Sequence, residues 1–291
     1  MWIPLILASA LLLAFYDLAR KHSVNHNAVM PVLFLSTLSG TLFFTLLLAV
    51  TGELPAALRL GGGDHALVLL KSLLVATLWS CVFYAMRALP ISIVAPIRSS
   101  APLWTIVGGI FLFQEIPNAW QALGMLAVLI GYVLFSAAGK AEGIHFGRHY
   151  GILLVAIGTL LGSITALFDK YLLQTRQIPA NTVQFWFALW LVVLIGAGLV
   201  VQRQAGLQRT PFRWRPTIPL VGILLILSDW CYFHALAQPG TAISILSLIR
   251  RSSVVVVFTL GAVLFAEGNL KRKAIAMAAI LTGVAILCLA K

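Results

Sequence analysis

Acidic side chains are scarce in this sequence: eight of 291 residues are Asp or Glu, against twenty Lys and Arg, and only 10% carry any charge. Soluble domains carry about 25% charged residues, so an ordinary water-exposed surface is excluded. Cysteine is rarer still. Cys81, Cys231 and Cys288 lie in apolar stretches without CxxC spacing or paired histidines, which argues against a disulfide framework and a zinc site. There is no HExxH and no Gly-x-Ser-x-Gly, the usual marks of a membrane-embedded metal or serine enzyme. No cofactor is expected, and a non-enzymatic role is.

What fills the chain instead is apolar: 61% of residues are hydrophobic, in long stretches that succeed one another from end to end. Lipid is the expected solvent. Hydropathy places ten spans, at 2–19, 30–50, 67–88, 91–113 and 118–138, then 151–173, 180–201, 217–237, 242–265 and 270–289. The fold class is therefore all-α integral membrane. No basic residue precedes the first apolar stretch and Asp17, Arg20 and Lys21 come after it, so it reads as a span and not as a cleaved leader.

A net charge of +12 would suggest nucleic acid in a soluble protein, but here most basic residues sit in short connections. Odd-numbered connections carry twelve, from Arg20 and Lys21 to Lys271, Arg272 and Lys273; the opposite face carries three, Arg59, Arg176 and Lys291. Because cytoplasmic loops are enriched in Lys and Arg, the count puts the odd connections in the cytoplasm and both termini outside. No nucleic-acid partner is expected.

The chain also matches itself at an offset of 152 residues. Ile91, Ser92, Ile93, Ile97, Arg98 and Ser100 match Ile243, Ser244, Ile245, Ile249, Arg250 and Ser252; Gly109 and Glu115 match Gly261 and Glu267; Asp17 matches Asp169. Register shared through Asp, Arg, Ser and Glu is hard to obtain by chance between two greasy helices. Each half holds an odd number of spans, so the second enters the membrane from the opposite side: ten transmembrane helices as two inverted five-helix repeats, residues 1–139 and 151–291, joined by a polar connection at 140–150.

The pattern running from Pro90 to Glu115 and again from Pro239 to Glu267, succeeded each time by a glycine-containing helix, resembles the EamA-type branch of the drug/metabolite transporter superfamily over nearly the full length. That resemblance implies a ten-helix fold with a central cavity bordered by spans three, four, eight and nine, and substrates drawn from a broad range of metabolites and drugs. Many members have few charges in these helices. This chain departs from them by carrying arginine in both halves.

Five basic residues, Lys71, Arg98, Lys170, Arg250 and Arg251, fall within the spans, with Asp17, Asp169 and Asp229 as candidate partners. A charge at that depth costs about 2.5 to 3.5 kcal/mol, so each needs a reason. Arg98 lies seven residues past Ile91, about 10 Å along a helix, and Arg250 lies at a similar depth. Approaching from opposite sides, the two face each other near the midplane. Two readings compete: ion pairs that hold the halves together, or a clamp whose planar fork takes a carboxylate or phosphate. The surplus of basic over acidic groups favours an anionic group on the substrate.

Ser99, Ser100, Ser252 and Ser253 sit beside the arginines as donors or as packing residues. Lys71 and Lys170 lie near span ends, as interfacial anchors or ligands. Trp79, Tyr84, Trp230 and Tyr232 are placed to stack on the substrate or to pack in the core. Asp17, Asp169 and Asp229, with Lys170, are the candidates for proton coupling or ion pairing. Glu115 and Glu267 are expected to cap the next span, and Gly124, Gly131 and Gly283 to mark close helix approaches.

Together these readings predict a secondary transporter moving a small anionic or zwitterionic metabolite by alternating access, in the inner membrane of a bacterium. Alternatives are a flippase for a phosphate-bearing lipid, a membrane enzyme or a structural subunit. The expected partners are the bilayer, the small-molecule or lipid-headgroup substrate, and a second copy of the chain in a homodimer.

Overall fold

The computed structural model describes residues 2–89, 94, 97–98, 100–140, 150–206, 210–253, 255–257, 260 and 270–289. Ser92, Ser99, Glu267 and the polar connection at 141–149 lie outside the described residues. The described elements are helices: α1 (Trp2–Val24), α2 (Val29–Val50), α3 (Leu54–Ala57), α4 (Gly62–Ala88), α5 (Ala101–Phe113), α6 (Ala119–Lys140), α7 (Tyr150–Lys170) running into a π turn (Tyr171–Thr175), α8 (Ala180–Gln204), α9 (Thr217–Leu236), α10 (Ile243–Arg251) and α11 (Leu270–Leu289).

Six of these, α1, α2, α4, α7 with its π turn, α8 and α9, are long and apolar enough to cross a membrane. Three shorter apolar stretches, Ala101–Phe113, Ala119–Gly131 and Ala278–Leu289, join them. The outside of the bundle is apolar, with Leu42, Leu46, Phe111 and Val133 more than 60% exposed. The inside holds Asp17, Arg20, Lys71, Asp169, Lys170 and Asp229, all buried. This inverts the distribution of a water-soluble protein and is what a hydrocarbon solvent selects. The chain is an integral membrane protein.

Helices of the first half pack largely on helices of the second: α1 on α9, α4 on α7, α2 on α8 and α9, α4 on α8, α5 on α7 and α10, α1 on α10, and α6 on α11. Small residues make the approaches close. A Cβ built on Gly222 of α9 would fall 1.9 Å from the Ser36 carbonyl oxygen of α2, and one on Gly283 of α11 would fall 2.7 Å from the Gly124 carbonyl of α6. In lipid, van der Waals contact and polar pairs replace the hydrophobic drive, so backbones that nearly touch hold such a bundle together. Ser9 and Ser228 add to the α1–α9 seam, each hydroxyl donating to the other's carbonyl, at 2.8 and 2.9 Å.

Two helices extend beyond their hydropathy limits. The apolar signal of the first span ends at Ala19, but α1 runs to Val24 and buries Arg20 to 1% exposure. Arg20 therefore leaves the loop count, which becomes eleven against three. Likewise α4 begins at Gly62, so Lys71 stands nine residues in, about 14 Å from the helix start, and is 1% exposed. A lysine that deep does not reach the interface, and the anchor reading of Lys71 is replaced by that of a buried cation.

Glu115 is also corrected. The next helix, α6, is started by Asn118 and Gln121, whose side chains each accept from the other's backbone N–H, at 2.8 and 3.0 Å. Glu115 instead caps α10, in the other half of the chain. Its carboxylate accepts from the Ile243 and Ser244 amides at 2.7 and 3.1 Å and from the Ser244 hydroxyl, and it pairs with Lys170 at 2.5 Å. A carboxylate at a helix N-terminus satisfies amides that have no intrahelical acceptor. Burial alone would raise the Glu115 carboxyl, but Lys170 and the Ser244 and Ile243 donors outweigh it and hold it below the usual carboxylate range.

Candidate functional site

Most of the charged residues of the interior line a cavity of about 140 Å³. Cavities of about 150 Å³ hold a molecule of roughly six to eight non-hydrogen atoms. Arg20 of α1, Lys71 and Trp79 of α4, Asp169 of α7, Asp229 and Tyr232 of α9, and Arg250 and Arg251 of α10 line it, together with Arg98 just ahead of α5. Apolar stretches of Leu13, Val75, Phe187 and Phe233 complete the wall.

Within this wall the acids are divided unequally. Asp17 serves two guanidiniums, that of Arg20 at 2.5 Å and that of Arg98 at 3.1 Å. Arg20 is fixed there by helix geometry, since residues three apart share a face, and it also donates to the Tyr16 hydroxyl at 3.0 Å. Asp229 pairs with Arg250, whose guanidinium stacks over the Tyr232 ring at 4.2 Å. Asp169 has Lys71 at 2.5 Å, with the ammonium over the faces of Phe187 and Phe233 at 3.9 and 4.2 Å. That last contact is one of charge only, because neither the Lys71 Nζ nor the Asp169 Oδ1 is in hydrogen-bond geometry.

Arg98 and Arg250 thus make ion pairs, but within halves and not between them. Arg98 and Asp17 both belong to the first half, Arg250 and Asp229 both to the second. The pairs that cross between halves are Lys71–Asp169, Lys170–Glu115 and Arg176–Asp64, among the described residues. Lys170 points away from the cavity: consecutive helix residues diverge by about 100°, so Asp169 reaches the cavity and Lys170 reaches Glu115.

Several donors on the lining residues have no hydrogen-bond partner: the Arg20 Nε, the Lys71 Nζ, the Arg250 Nε and the Tyr232 hydroxyl. Buried polar atoms are nearly always paired in native proteins, so a cluster of unpaired donors around one cavity marks a place for an acceptor-rich ligand.

Other expected site residues lie elsewhere. The Ser100 and Ser252 hydroxyls donate to the carbonyls of Ile97 and Ile249, at 2.7 and 2.6 Å, so each bonds back onto its own segment. Tyr84 accepts from the Gln202 side chain at 2.8 Å, near the end of α4 and away from the cavity lining. Trp230 stacks on His234 at 4.2 Å, and it too is outside the lining. Conversely, Arg20, Thr105, Ser247, Phe187 and Phe233 line the cavity without having been singled out from sequence. The spacing of Asp17 and Arg20 was the available signal for the first. Among the described residues, no three His, Cys, Asp or Glu side chains gather as a metal site.

In fold, the chain is similar to solved structures, 29 chains in all. One, described only as the crystal structure of a protein, superposes with a TM-score of 0.75 at 19% identity, covering 99% of this chain and 97% of its own. No curated protein matches in sequence. Residues 1–137, which contribute α1 to α5 and most of α6 and so one side of the cavity, match the EamA-like transporter family. By that match, the first 137 residues are similar to the EamA-like transporter family, which belongs to the drug/metabolite transporter superfamily.

Proposed function

We propose that this protein is a secondary carrier for a small anionic or zwitterionic metabolite, working by alternating access between two inverted five-helix repeats in a bacterial inner membrane. The observation that carries the reading is the cavity wall: unpaired donors on Arg20, Lys71, Arg250 and Tyr232 around a space for about six to eight non-hydrogen atoms. Arginine at such a place stays charged and offers a fork that matches carboxylate or phosphate. Trp79, Phe187 and Tyr232 supply apolar surface for the rest of the solute.

The packing pattern supports the two-repeat mechanism. Exchanging the halves turns the α1–α9 contact into α7–α4, α2–α9 into α8–α4, and α5–α7 into α10–α1, and each of these is present. A bundle whose contacts come in matched pairs has two equivalent ways to open, one to each side, which is what alternating access requires. Arg98 and Arg250 are the central anion clamp, with Arg251, Lys71 and Tyr232 beside them.

The test is thermal stabilisation of the purified protein by succinate, glycerol 3-phosphate, inorganic phosphate and a set of cationic metabolites, beside Arg98→Ala and Arg250→Ala. Stabilisation by an anion that disappears in both variants supports the clamp. Stabilisation by cations alone, or by anions regardless of the substitutions, refutes it. A glycerol phosphate that acts only when acylated assigns the site to a lipid headgroup.

A further inference from the structure

We propose that Lys71 and Asp169 form the proton-binding site of this carrier, with Asp169 as the group that takes the proton. Coupling of that proton to an anion rests on the transport reading above; the proton site itself does not need an anion to be present.

The three acids associated with the cavity are not equivalent. A proton on Asp17 would strand two guanidiniums, those of Arg20 and Arg98, and a proton on Asp229 would strand that of Arg250. Asp169 is different: its ion-pair partner is a lysine, and the pair lacks hydrogen-bond geometry. Its one ion-pair partner is that lysine.

The surroundings decide how the site responds to protonation. Lys71 is 1% exposed, and its ammonium lies against the faces of Phe187 and Phe233. Those rings stabilise the cation when Asp169 is neutral, so Lys71 keeps its charge and is released from its partner. The other groups facing the pair are Asp229 and Tyr232 from α9 and Arg250 and Arg251 from α10; Arg20, Arg98 and Asp17 lie across the cavity. Asp229 is occupied by Arg250, so no second ionised acid is poised to replace Asp169 at the Lys71 ammonium.

Protonation then acts in two ways. First, neutral Asp169 adds one unit of positive charge to a wall already rich in donors, so proton and anion binding reinforce each other. Coupling of this kind is reciprocal and commonly amounts to about 5- to 150-fold in affinity. Second, Lys71 belongs to the first half and Asp169 to the second, and theirs is the ion pair within the cavity lining that spans the two, among the described residues. Proton uptake therefore loosens the contact across which the halves must rock, and the anion that takes Lys71 restores the charge balance. Proton and anion travel in the same direction.

The test is infrared difference spectroscopy of the full-length purified protein, without any anion, between mildly alkaline and mildly acidic pH. The wild type is expected to show the carbonyl stretch of a protonated carboxyl group in an apolar setting. The double variant Lys71→Gln with Asp169→Asn leaves no lone charge, and it is expected to remain folded and to lose the band. Asp169→Glu keeps the pair and is expected to move the band. Absence of the band in the wild type, its survival in the folded double variant, or its indifference to Asp169→Glu overturns the proton site. Any anion that stabilises the protein in the panel must raise the midpoint pH of the band; a lowered or unmoved midpoint overturns the coupling. A panel with no anion hit and an intact band refutes the anion clamp while leaving the proton site standing.

Discussion

Removing Arg250 and removing Arg98 are predicted to have unequal effects, although the two occupy matched positions in the repeat. Arg250→Ala deletes the partner of Asp229 and the cation stacked on Tyr232. Breaking a buried pair by deleting one member costs about 3 to 5 kcal/mol. The loss is capped near 4 kcal/mol, because protonating a stranded aspartate at neutral pH costs no more than that. Arg98→Ala leaves Asp17 still held by Arg20 at 2.5 Å, so it forfeits little beyond one charge-assisted hydrogen bond, about 2 kcal/mol. The gap of about 2 kcal/mol corresponds to roughly 4 °C in melting temperature for a chain of this size. Scanning fluorimetry in detergent reads it directly. The control is Arg250→Met with Asp229→Leu, which removes both charges and should recover most of the loss. Equal melting temperatures for the two single variants, or no recovery in the double variant, would refute the assignment of partners.

The geometry predicts two further outcomes. Glu115→Gln keeps part of the α10 cap but loses the pairing with Lys170, and should cost about 1.5 to 3 kcal/mol near neutral pH. Because the Glu115 carboxyl is held below its usual range, the wild-type advantage should be flat above the ordinary glutamate pKa and should vanish as pH falls through the lower folded value; an advantage that grows in acid contradicts the cap. Gly222→Ala places a methyl 1.9 Å from a backbone oxygen and should cost about 3 kcal/mol or more by forcing α2 and α9 apart, whereas Gly62→Ala, with nothing within 4 Å, should leave the melting temperature unchanged.

Much of this molecule was legible in its sequence because hydropathy and repetition are both written in residue type. The apolar stretches gave the helices, and the offset of 152 singled out Asp17, Asp169, Arg98 and Arg250, of which all but Asp17 line the cavity and Asp17 pairs with two residues that do. Helix ends were harder. Hydropathy stops at the first polar residue, while a helix in a bundle continues wherever its polar residues find partners, as Arg20 does with Asp17 and Tyr16. Which acid takes which base was not legible. The repeat pairs Asp17 with Asp169, yet the first holds two arginines and the second a lysine from another helix, since Lys71 has no lysine counterpart at the same offset. Side chains choose partners by distance in three dimensions, so a match at a fixed sequence offset does not carry the partner with it. Glu115 shows the same limit: its cap belongs to a helix 128 residues away in sequence.

Among the described residues, the three ion pairs between the halves all leave from one short stretch, Asp169, Lys170 and Arg176, and the π turn lies between the second and the third. Elsewhere the described seam is made of apolar side chains, close glycines and hydrogen bonds such as those of Asn27 with the Arg213 backbone and of Gln202 with Tyr84. Residues 169–176 therefore gather the charges that join the two halves, with the π turn set among them.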